Sequence, residues 1–248
     1  MIKAIVLVPL SLLLCSPVLG GTNLERWRIA HTHFVNSKKL PQEVHIISRA
    51  IDDEGNLLES SKLYCSLHRT KSNRLYLVVE SGFSDGKKLT ASECAEMSEE
   101  VNEEELQPPF PFDLTDPGSI IHNPSPLPET AGAETCPSAF SATIDKHPVT
   151  GVITYDCQTS LPLEVNWTIT EPFEEDSLAV SSLNQHDTYQ ITSGGNCLQA
   201  VSKTVIEAEY GILFLQKRIT IITEETYLKY VDYTKLPLYL PSARNNGL

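Results

Sequence analysis

The chain has 248 residues, with 32 Asp and Glu against 19 Lys and Arg, a formal net charge of −13 and 41% hydrophobic residues. Phosphate backbones and anionic bilayers are bound by clustered Lys and Arg, so this balance argues against a nucleic-acid partner and disfavours an anionic membrane surface. It serves solubility and suits, at most, a cationic ligand such as an amine.

In chain order, Met1 to Gly20 reads as a signal peptide. Lys3 gives the positive start, Ala4 to Cys15 the apolar run, and Val18-Leu19-Gly20 the cleavage site. The run is too short for a membrane span and no later stretch approaches the length of one, so a secreted, extracellular protein is expected. The remainder, 21–248, is long enough for one generous domain or two small ones. Asn166-Trp167-Thr168 is a glycosylation sequon consistent with export, whereas Pro124 blocks Asn123.

Removal of Cys15 leaves Cys65, Cys94, Cys136, Cys157 and Cys197 as disulfide candidates. An odd count in an oxidising compartment allows two bridges and one leftover thiol, buried or paired with another chain in a disulfide-linked homodimer. Connectivity stays open; Cys65–Cys94 with Cys136–Cys157 closes the shortest loops.

Arg26 to Val35, Glu43 to Ile51, Lys62 to His68 and Leu75 to Glu80 read as strands, separated by turns at 52–56 and 70–73. This is meander spacing, with no room for the helices of a parallel sheet. The pattern breaks over 96–137, where glutamates cluster up to Glu105 and prolines recur from Pro108. The acidic half suits a short solvated helix, and the proline-rich half is expected to be a long surface insertion, with an interdomain linker as the rival. Strands resume at Val152–Asp156, Leu163–Thr170, Ser177–Leu183, Thr188–Thr192 and Ala208–Ile222. At Thr223 the period turns helical: Thr223 is a cap, Glu224 and Glu225 fill the first turn, and Leu228 and Val231 share a face with Tyr227 and Thr234.

Arg218, Ile222 and Thr223-Glu224-Glu225-Thr226-Tyr227 stand in the register of a lipocalin closing strand and helix start. Asn23-Leu24-Glu25-Arg26-Trp27-Arg28-Ile29-Ala30 resembles that family's first-strand motif, with Glu25 in place of its glycine. Ser182 to Ile191 resembles the third motif, with Asn184-Gln185-His186 in place of Thr-Asp-Tyr. The chain thus resembles the lipocalins, particularly their apolipoprotein D-like and arthropod members, at both ends and partly in the third motif, and not over 95–137. The resemblance implies an all-β fold: an eight-stranded antiparallel up-and-down barrel with a C-terminal α-helix packed outside and a long acidic, proline-rich insertion. It implies a single barrel domain over 21–248, in which Trp27 and Arg218 stack to close one end.

The function so implied is a secreted carrier of a small hydrophobic or amphipathic ligand (lipid, retinoid, sterol, pigment or amine), bound without chemical change. Tyr64, Tyr76, Tyr155, Trp167, Tyr189 and Phe214, the large aromatics in strand context, are the candidate cavity lining. The alternative is a secreted β-rich interaction or structural protein with a filled core, acting through its acidic insertion or a disulfide-linked dimer. Catalysis is not expected. Gly82-Phe83-Ser84-Asp85-Gly86 matches the Gly-x-Ser-x-Gly hydrolase pattern, but a polar stretch follows it where a packed helix is required, so it reads as a hairpin turn. His31 and His33 would share one strand face, yet nothing nearby completes a metal set, and no cofactor is expected.

Overall fold

In the computed structural model, residues 23–37, 39–102, 134–144, 147–169, 171–175, 178–212 and 215–240 are described. Helix α1 spans Asn23–Ser37, and strands β1 (Lys39–Asp52), β2 (Leu57–Arg69), β3 (Leu75–Ser84) and β4 (Lys87–Lys88) follow it. Then come helix α2 (Ala91–Glu100) and strands β5 (Thr135–Ile144), β6 (His147–Asp156), β7 (Pro162–Ile169) and β8 (Phe173–Glu175). Strands β9 (Leu178–Ile191), β10 (Cys197–Ile212) and β11 (Leu215–Asp232) complete the sheet, and a 3-10 turn follows at Tyr233–Lys235. The eleven strands form one sheet in the order β4-β3-β2-β1-β11-β10-β9-β7-β6-β5, with β8 on β9. Every named pairing is antiparallel, and one isolated parallel bridge joins Arg69 to Leu238.

The two ends of that path, β4 and β5, do not pair, so the sheet is open. The eight-stranded barrel implied by the lipocalin resemblance is thereby corrected. The first-strand motif lies in helix α1, and the helix start expected at Thr223 continues strand β11.

Hydrogen-bonding side chains shape the turns. Asp52 accepts the N–H groups of Glu54 (3.0 Å) and Asn56 (2.7 Å), closing the β1–β2 hairpin. Between β3 and β4 the chain reverses with φ of 48° at Asp85 and 75° at Gly86, the paired positive values of a tight hairpin turn. The Gly-x-Ser-x-Gly match is therefore a turn. Helix α2 starts on a capping box: the Thr90 hydroxyl accepts from Glu93 N–H, and the Glu93 carboxylate accepts from Thr90 N–H at 2.6 Å.

Antiparallel register places directly opposed residues on one face of a sheet. One face thus collects Val44, Cys65, Val79 and Tyr227 from β1, β2, β3 and β11. With Leu63, Leu67, Leu77 and Cys94 of α2 they form one buried cluster. Farther along the same face, Cys136, Ile153, Val165 and Tyr155 form a second, into which α1 inserts Trp27 and Ala30. The interior is filled by these clusters, and no closed cavity is evident among the described residues.

Helix α2 also covers an edge. Asn102, just past its end, accepts from Leu77 N–H (2.9 Å) and donates to Leu77 C=O (2.7 Å), while Ser98 Oγ accepts from Val79 N–H (2.8 Å). Side chains thus occupy positions on β3 where a further strand would pair, which blunts an aggregation-prone edge.

Several sequence expectations are overturned. Residues 26–35 are helical: Arg26, Trp27 and Ala30 are buried, and His33 accepts the Cys197 N–H at 3.0 Å, so these positions face inward at helical spacing. His31 and His33 are consequently no strand pair, and among the described residues no group of three or more metal-ligating side chains gathers. Residues 223–232 are strand. β11 pairs with β10 over 215–226 and with β1 over 219–232, and its threonines and tyrosines suit a strand; pairing overrides a helix-like pattern. No C-terminal helix packs outside the sheet among the described residues. Ser177–Leu183 and Thr188–Thr192 merge into the single strand β9, and β5 begins at Thr135, inside the last residues of the stretch assigned to the insertion. The acidic start of that insertion is α2; 103–133, and the signal peptide 1–20, lie outside the described residues.

Trp27 and Arg218 are not stacked. Trp27 is 1% exposed in the α1 cluster, whereas Arg218 is on β11, 75% exposed, with its Nε 2.7 Å from Glu209 Oε1.

Candidate functional site

The face opposite the two clusters carries neither described helix. Across β5, β6, β7, β9 and β10 it forms an open trough of about 750 Å³. By register, Ala139, Thr150, Val152, Asn166, Thr168, Asn184, His186, Lys203 and Val205 all project into it. Small and β-branched side chains make the floor, and polar groups stand above it.

A polar network occupies the centre. His186 Nδ1 lies 2.5 Å from Asn166 Oδ1 and 3.3 Å from Glu164 Oε1, and Asn166 Nδ2 donates to Glu164 Oε1 at 2.7 Å. An amide oxygen only accepts, so Nδ1 carries the proton. Lys203 opposes His186 across the β9–β10 pair. These groups are half-exposed and mutually oriented, which suits recognition of a polar surface. Asn166, the sequon residue, is one of them.

Gly151 shapes the neighbouring wall. A Cβ there would lie 2.3 Å from Asn166 O and 2.5 Å from the Phe140 ring, so only glycine lets the Phe140 ring cross β6.

Beneath the trough, on the covered face, a polar seam joins the two clusters. Asp187 accepts from Gln185 Nε2 (2.9 Å) and Gln199 Nε2 (3.0 Å), and Gln185 Oε1 accepts from Thr204 (2.6 Å). Tyr227 donates its hydroxyl to Glu225. Burial raises the carboxyls of both Asp187 and Glu225 above their ordinary range; hydrogen bonds from Gln185 and Tyr227, respectively, act the other way. Gln199 Oε1 is buried with no hydrogen-bond partner among the described residues.

The aromatics proposed as a cavity lining are dispersed. Tyr64 meets His45 edge-on with centroids 4.8 Å apart and has the Lys62 ammonium 5.3 Å from its ring. Tyr76 stacks on Tyr239 at 3.9 Å, and burial, with the hydrogen bond to Tyr239, pushes its hydroxyl up to about 12. Tyr155 and Tyr189 are core residues, and Trp167 is partly buried against the same cluster. Phe214 lies outside the described residues. Tyr155, Tyr189 and Trp167 thus share one cluster, with Trp167 also at the trough, while Tyr64 and Tyr76 stand apart from them. Of the trough residues only Asn166, as a sequon, and Trp167, as an aromatic in strand context, gave a sequence signal; strand register alone unites the rest.

Of the five cysteines, Cys136 and Cys157 are joined, with a Cα–Cα distance of 5.3 Å. Cys65, Cys94 and Cys197 are free and buried. The bridge is intramolecular, and a covalent dimer through any free thiol requires local opening. No described helix is long and apolar enough to cross a membrane.

No family model and no curated protein sequence matches the chain. Among solved structures, similarity is distant. The S-type phycobiliprotein lyase CPES from Guillardia theta aligns over 84% of this chain and 98% of its own, with 6% identity and a TM-score of 0.25. A DUF1329 family protein from Desulfovibrio piger aligns over 83% and 93%, with 9% identity and a TM-score of 0.31. MucB in complex with MucA(peri) aligns over 85% and 97%, with 10% identity and a TM-score of 0.19. Scores this low carry no functional argument, and membership of the lipocalins is not supported. What the fold itself defines is a β-rich domain held by extensive antiparallel pairing and one disulfide.

Proposed function

We propose that this protein is a β-rich interaction module with a filled core, contacting a protein partner through the trough on the uncovered face of its sheet. The observation that supports it is the asymmetry of the sheet. One face is occupied by two packed clusters and both helices, while the other presents the oriented Glu164–Asn166–His186 network with Lys203 beside it. The small-ligand carrier is abandoned with the barrel on which it rested. Secretion is part of the proposal, supported by the pattern of Met1 to Gly20 and by the Cys136–Cys157 bridge. So is the absence of turnover, since the trough presents no nucleophile beside a base.

The test places a photo-crosslinking amino acid at Thr168 in the trough and, as control, at Glu59, exposed on β2. Protein crosslinks concentrated at Thr168 and lost in Lys203→Glu support the reading. Equal labelling at Glu59, or stoichiometric uptake of a fluorescent fatty acid by the folded protein, defeats it.

A further inference from the structure

Cys65 on β2 opposes Val79 on β3, and both side chains are buried on the covered face. Val79 N–H donates to Ser98 Oγ (2.8 Å), and the Ser98 hydroxyl donates to the Cys94 carbonyl one helical turn earlier (2.7 Å). The Cys94–Ser98 turn of α2 therefore rides on Val79, beside Cys65. Cys65 and Cys94 are 3% and 7% exposed within one cluster, together with Leu63, Leu77 and Met97. The approach of α2 is set one turn before it begins: the Leu89 side chain sits where a Cβ on Gly82 would be 2.9 Å away. Cys197 belongs to the other cluster, fully buried, with Sγ 3.3 Å from Pro162 O.

We propose that Cys65 and Cys94 are a redox couple that closes into a second intramolecular disulfide, stapling α2 over β2 and β3 and locking the covered edge of the sheet. The oxidant is a low-molecular-weight disulfide. Local opening of α2 exposes Cys94, whose thiolate attacks the oxidant, forming a mixed disulfide and expelling one thiolate. The Cys65 sulfur, on losing its proton, then attacks the Cys94 sulfur and expels the second. One protein S–S bond forms, the oxidant's S–S bond is reduced to two thiols, and these take up both protein protons. This order follows from position: Cys94 lies on the covering helix, whereas Cys65 lies beneath it on β2, where desolvation and then the charges of Glu225 and Glu80 push its thiol up to about 12. Cys197 is left as the unpaired cysteine of the five.

The test equilibrates the folded full chain in reduced and in oxidised glutathione, alkylates it, and maps peptides by mass spectrometry without reduction. The proposal expects a Cys65–Cys94 peptide pair in the oxidised sample, within a monomer lighter by two hydrogens, about 2 Da. It also expects amide exchange at Val79 slowed at least about tenfold, with no slowing in Cys94→Ser. Cys136–Cys157 serves as internal control. Cys65 and Cys94 both open to alkylation after oxidation, a stable glutathione adduct on either, or a bridge to Cys197 would overturn it.

Discussion

Truncating Trp27 separates the observed architecture from a barrel closed by a Trp–Arg stack. Trp27 is 1% exposed and packs from α1 among Tyr155, Ile153 and Val165. An indole of about 200 Å² removed from water at about 25 cal/mol per Å² is worth about 5 kcal/mol. Incomplete collapse of the site places the measured loss for Trp27→Ala at about 3–5 kcal/mol. With a urea slope of about 3 kcal/mol per M, the unfolding midpoint falls by about 1–2 M. Arg218→Ala is the decisive companion. Arg218 is exposed and holds a surface ion pair with Glu209, so its removal leaves the midpoint unchanged. Equilibrium urea unfolding of both single variants and the double variant, followed by circular dichroism, provides the readout. Equal losses in the two single variants, with no further loss in the double, would refute the helix-anchored packing of Trp27 and restore the stack.

Gly151→Ala is expected to destabilise by about 1–3 kcal/mol, because its methyl meets backbone at 2.3 Å and the Phe140 ring at 2.5 Å; thermal unfolding measures it, and an unchanged midpoint contradicts the close approach. Replacing both Cys136 and Cys157 by Ser opens a loop of sequence separation 21 and removes about 3 kcal/mol, read from the urea midpoint. Glu225→Gln is predicted to be more stable than the parent at pH 7. Burial raises the Glu225 carboxyl in the fold, with the charge of Asp187 adding to the shift, so the folded state holds its proton more tightly than the unfolded chain. The penalty is absent below the unfolded value near 4.3, grows as pH rises toward the folded value, and is complete above it. Stability of the parent should therefore recover as pH falls through that window, less so in the variant. A variant less stable at pH 7, with unaltered pH dependence, would refute the assignment.

The sequence by itself determined the local grammar. The hairpins at Asp52–Asn56 and Thr70–Asn73, the strands around Val44, Cys65, Val79, Ile153 and Val165, and the acidic helix after Thr90 are all written in nearest neighbours. Turn residues and alternating side chains act over a few positions, and no distant contact changes their meaning. Connectivity of the cysteines was open in the sequence: the shortest-loop criterion offered Cys136–Cys157, which is joined, and equally Cys65–Cys94, whose thiols are free. Only tertiary structure decided the rest. Arg26 to Val35 became helix because Trp27 and Ala30 had a core to enter. Thr223 to Asp232 is strand because β1 pairs with it throughout and β10 with its first four residues. Whether the sheet closed, which aromatics shared an interior, and which face the described helices cover all depend on register between residues as far apart as Lys39 and Asp232. The trough shows this most plainly: Asn166, His186 and Lys203 belong to three strands, and strand pairing alone brings their side chains to one face.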